Sequence, residues 1–112
     1  MVSTMREIRR DADGALLGFI RPVGEAWEPV TVFGYPLGEP CSEEEAFDEV
    51  HRTGLEVLMR RWEFLEDGEW YRCVILEAAP EEVRIQPSDH RYPHNVYALT
   101  LERPGPATFR HE

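Results

Sequence analysis

The sequence predicts an antiparallel α+β fold, with strands in the order βββ-α-ββββ and one helix packed on a sheet or a small half-barrel. Three observations lead there. Two Asp-Gly pairs, Asp13-Gly14 and Asp67-Gly68, each separate runs in which apolar and polar residues alternate. That is a hairpin signal, because glycine accepts the positive φ that a tight turn needs. One stretch, just after Ser42, repeats its apolar residues at helical spacing. The strands fall in runs on either side of that helix instead of alternating with helices, which argues against a βαβ nucleotide-binding fold.

Met5 to Ile20 reads as the first hairpin, and a two-residue Asp13-Gly14 loop would set Ile8 opposite Phe19. After a break at Val23-Gly24-Glu25, the β-branched run Glu28 to Phe33 predicts a third strand, with Pro29 confining it to an edge or to the strand start. Gly34 to Pro40 holds two glycines and two prolines and reads as a loop. Ser42 followed by Glu45 is a capping box, with Glu43 and Glu44 placed at the positive end of the helix dipole. Ala46, Phe47 and Val50 supply the apolar stripe, and Gly54 stands where a C′ residue would. The expected helix spans 43–53. Leu55 to Met59 reads equally as a short helix or as the approach to a strand.

From Arg61 the period becomes two. A two-residue Asp67-Gly68 loop pairs Phe64 with Tyr71, Trp62 with Cys73, Leu65 with Trp70 and Glu63 with Arg72. Trp62, Phe64, Tyr71, Cys73 and Ile75 then share an apolar face, and Trp70 points to the other. Glu82 to Gln86 predicts a short strand with Val83 and Ile85 inward. Residues 87–94 read as loop, and Asn95 to Arg103 as a last strand ended by Pro104. A chain of 112 residues is the size of one domain, so 1–112 is expected as a single unit with an ordered core at about 5–103 and a mobile tail at 104–112.

Charge narrows the function. Twenty-two acids oppose twelve bases for a net of −10, and every base is arginine, as a GC-rich bacterial genome would favour. Such a chain is not expected to bind duplex nucleic acid, which needs a basic surface, or an anionic membrane. Met1 to Arg10 has no apolar run and no stretch reaches the ~20 apolar residues of a membrane span, so a cytoplasmic protein is expected, with Cys41 and Cys73 reduced.

The candidate chemistries are weak. His90 and His94 have zinc-like spacing, but Cys41 and Cys73 are 32 residues apart and Pro93 keeps the histidines off a common helix face, so no metal and no cofactor are expected. Cys73 falls inside a hairpin face. Cys41, beside the helix start, is the thiol with the better chance of a lowered pKa. Nucleophile-elbow, Walker and dinucleotide motifs are missing from the chain. The leading expectation is a non-enzymatic binding or accessory domain that recognises another protein through Trp70, Arg72, Arg61 and Glu63, with Tyr92 nearby: a large aromatic among charges is what contact surfaces favour. Two alternatives stand beside it. One is an acidic inhibitor or nucleic-acid mimic that docks on a basic partner through Glu44, Glu45, Asp48 and Glu49. The other is a small enzyme using Cys41 or the His90/His94 loop.

Overall fold

The computed structural model describes residues 5–111. Residues 1–4, part of the N-terminal stretch without an apolar run, and 112, the end of the expected tail, lie outside it. The fold is α+β. Strands β1 (Arg6–Arg9), β2 (Leu16–Val23) and β3 (Ala26–Val30) form one antiparallel sheet in the order β1-β2-β3. The helix α1 (Glu43–Thr53) follows. A second antiparallel sheet, in the order β7-β6-β5-β4-β8, comprises β4 (Trp62–Glu66), β5 (Glu69–Ala78), β6 (Glu82–Pro87), β7 (Leu99–Glu102) and β8 (Phe109–His111). As expected from sequence, the one helix packs on a sheet, here the first of the two.

The helix is built as its sequence dictates. The Ser42 side chain accepts from the Glu45 backbone N–H at 3.1 Å, and the Glu45 carboxylate accepts from the Ser42 N–H at 3.3 Å. Gly54 closes it in a right-handed conformation (φ −57°, ψ −43°), not the left-handed one of a C′ glycine. The glycine is needed for space: a Cβ there would lie 2.2 Å from the Leu17 carbonyl oxygen. The chain runs on into a 3-10 turn over Glu56–Met59, whose Val57 carbonyl accepts from the buried Trp62 indole N–H.

Local corrections have physical causes. In the first hairpin the loop spans more than Asp13-Gly14, because Asp13 accepts from the Ala15 N–H and from the Arg10 guanidinium and widens the turn. With an irregularity between Ile8 and Arg9, Ile8 stands opposite Gly18 and Glu7 opposite Phe19. The third strand stops at Val30 instead of running to Phe33. The Thr31 hydroxyl takes the N–H groups of Phe33 (3.3 Å) and Tyr35 (3.1 Å), folding 31–35 into a turn. The last expected strand, 95–103, shortens to β7. Continuing its register past the Ile85–Leu99 pair would set Tyr97 against Pro87, which has no N–H to donate.

The largest correction concerns the tail. Residues 109–111 form β8, paired with β4, and Phe109 is fully buried, its ring stacked 4.5 Å from that of Trp62. The main core joins the inner face of the five-stranded sheet (Trp62, Phe64, Cys73, Val83, Ile85, Phe109) to Val32, Phe33 and Tyr35 from the turn after β3. A second cluster of Ile8, Leu17, Ile20, Ala46 and Val50 lies between α1 and the first sheet.

Candidate functional site

The second hairpin has the register its turn dictates. Asp67 and Gly68 both have positive φ (51° and 79°), and Trp62, Glu63, Phe64 and Leu65 oppose Cys73, Arg72, Tyr71 and Trp70. Alternation therefore sends Trp62, Phe64 and Cys73 into the core and Glu63, Leu65, Trp70, Arg72 and Val74 to the outer face. The helix does not pack on this second sheet. Arg72 and Val74 are exposed on its outer face, and Trp70 and Leu65 are half-buried.

The missing member of this face comes from β8. Arg110 pairs in register with Glu63, and its Nε donates to Glu63 Oε1 at 2.7 Å. Its guanidinium carbon lies 3.9 Å above the centre of the Trp70 ring, a cation–π contact. Arg110, Glu63 and Arg72 thus form one row across three strands. The Glu63–Arg72 cross-strand pair is in register as expected, but the carboxylate bonds to Arg110 instead, and Arg72 Nε sits 3.6 Å from Asp89 Oδ2. Arg110 lies in 104–112, the segment expected to be a mobile tail. The alternation of Phe109, Arg110 and His111 was the signal for a strand there.

The structure brings together four of the five expected contact residues. Arg61, exposed just before β4, lines a small cleft of about 170 Å³ with Glu63, Arg72 and His111. Tyr92 is elsewhere. It packs on the opposite side of the sheet against Phe64 and Tyr71, and its hydroxyl donates to Glu66 Oε1 at 2.9 Å. Burial, then the Glu66 carboxylate, pushes the Tyr92 phenol up to about 12. What holds the loop under it is Asp89, whose enclosed carboxylate accepts from the backbone N–H of Arg72 and Arg91 and from the Arg91 guanidinium.

The other candidates lose ground. The Cys73 thiol is pushed up to about 12, first by burial and then by Glu63, and so is almost wholly protonated at neutral pH. The Cys41 thiol is raised as well, by burial and by Glu45 and Glu49; those carboxylates oppose the lowering that the helix start was expected to give. His94 Nε2 lies 3.6 Å from Glu66 Oε2, and His90 is exposed, so the two imidazoles serve a surface loop. Among the described residues no three His, Cys, Asp or Glu converge in a manner that would hold a metal ion. On α1, Glu45 is engaged in the capping box, and Glu49 bonds to Arg52 and Thr53. A shallow depression beside the helix is lined by those same acids and by Cys41.

Compared with known proteins, the chain matches no family model, no curated protein and no solved structure. No helix among the described residues is long and apolar enough to cross a membrane.

Proposed function

We propose that this protein is a non-enzymatic binding domain that recognises another protein through the outer face of its five-stranded sheet. The observation that carries it is the half-buried Trp70 under the Arg110 guanidinium, set among Arg72, Arg61 and Glu63 on a face the helix leaves uncovered. Tryptophan and arginine are the residues that dominate binding energy at protein contacts, and a ring clamped by its neighbours loses little entropy on binding. Docking through the acidic helix is supported less, because Glu45 and Glu49 already serve the helix itself.

The test compares affinity capture from the source cell's extract by the wild-type chain, by Trp70→Ala and by Val74→Glu. Val74 is 40% exposed on the same face, so a carboxylate there leaves the core intact. The expected result is a co-purifying protein that both variants lose, while Val74→Glu, at an exposed position, melts close to wild type. Equal retention by all three chains would refute the reading.

A further inference from the structure

Among the described residues, ten of the twelve arginines lie within 4.0 Å of a carboxylate oxygen, as a chain of 22 acids makes easy. The two others are Arg103, at the start of the loop after β7, and Arg61, although Arg61 lies in the same cleft as Glu63. The reason is on the face itself: Glu63 is already committed to Arg110 at 2.7 Å. Arg72 is only loosely matched, with its Nε 3.6 Å from Asp89 and its side chain 55% exposed, while Asp89 is saturated by Arg91. Among the described residues, the row of Arg110, Glu63 and Arg72 and the neighbouring Arg61 therefore bring three guanidinium groups to the one carboxylate of Glu63 on this face. Counted over the described residues, this face has two more guanidinium groups than carboxylates, on a chain of net −10.

Resting on the protein-recognition reading above, we propose that this face takes an extended acidic segment of the partner protein. Its carboxylates meet Arg61, Arg72 and Arg110 while one apolar side chain lies on Trp70 and Leu65 and another on Val74, four residues along β5. A guanidinium offers five donors in a planar fork and accepts a carboxylate bidentately, so each arginine has donors left for a ligand. Apolar contact comes from the half-buried Trp70 and Leu65 and the exposed Val74. A nucleic-acid strand fits less well. Its phosphates need a long basic track, and beyond this face the chain's net charge repels them. An acidic peptide of a few residues needs only the three guanidinium groups.

The probe is a fluorescently labelled hexaglutamate peptide, titrated at low salt and followed by anisotropy, with hexaglutamine and hexathymidylate as comparisons. Hexaglutamate should bind saturably and hexaglutamine should not. Each of Arg61→Gln and Arg72→Gln should weaken binding roughly two- to fivefold, the worth of one exposed ion pair, and added salt should weaken it further. Neither substitution touches the core, so unchanged melting temperatures certify folded variants. The proposal is overturned if hexaglutamate fails to bind, if the double variant binds it as well as wild type, or if hexathymidylate binds more tightly. A captured partner that depends on Trp70, together with no hexaglutamate binding, overturns the acidic segment alone and leaves protein recognition standing. Hexaglutamate binding that follows the arginines, with capture that ignores the face, overturns both.

Discussion

Asp89 is the carboxylate on which one end of the second sheet depends. Its side chain is fully enclosed, and it ties the loop after β6 to the backbone of Arg72. The Arg91 guanidinium, then the N–H groups of Arg91 and Arg72, hold its carboxyl well below the ordinary carboxylate range. The unfolded chain, with an aspartate near ~3.9, therefore takes up this proton more readily than the folded one. The stabilisation is fully present above that unfolded value and is lost as pH falls through the folded one. Asp13, held at about 2 by Arg10, acts with the same sign, so wild type alone does not isolate Asp89. Asp89→Asn should melt below wild type at pH 7, and the gap should close as pH falls below ~4. A gap independent of pH would show that the charge is not what matters. Ser42 is a simpler case. Its hydroxyl holds the Glu45 N–H, so Ser42→Ala should cost ~0.5–2 kcal/mol in urea melts.

At the scale of elements, β8 is short but carries much of the core. Phe109 is fully buried against Trp62, Phe33 and Tyr35, so Phe109→Ala should cost about 3–5 kcal/mol, read from the denaturation midpoint. Deleting 104–112 should lower stability at least as far; a truncated chain that melts like wild type would contradict this. The helix and the second hairpin were legible in the sequence because local chemistry decides them. A capping box starts the one, and an Asp-Gly turn with both residues at positive φ sets the register of the other. Trp70 beside Arg72 and Glu63 followed from that register. What was not legible depends on distant partners. Phe109 is a strand residue only because β4 offers a free edge, and Thr31 ends β3 by a hydroxyl that competes with the ladder. Tyr92 left the expected site because Glu66 and the Phe64–Tyr71 face, not Trp70, offered its ring and hydroxyl a place.

At the scale of the whole molecule the question is whether two sheets and two hydrophobic clusters unfold together. The five-stranded sheet does not cover its own inner face: Val32, Phe33 and Tyr35, from the turn after β3, lie against Trp62 and Phe109. Leu37 packs against both clusters. Adjacent residues of β2 divide between them, Leu16 facing the main core and Leu17 the helix cluster. Unfolding the first sheet would therefore strip the second of three buried side chains, each costing kilocalories to expose. The transition is expected to be two-state. Two probes report the clusters separately. The helix signal in far-UV circular dichroism, to which each residue of α1 contributes more than a strand residue, weights the first cluster, and in a Cys41→Ser background the reactivity of the buried Cys73 thiol follows the main core. Their urea midpoints should coincide. A helix signal lost well before Cys73 becomes reactive would mean that the five-stranded sheet stands without Val32, Phe33 and Tyr35, and that the two sheets are independent units.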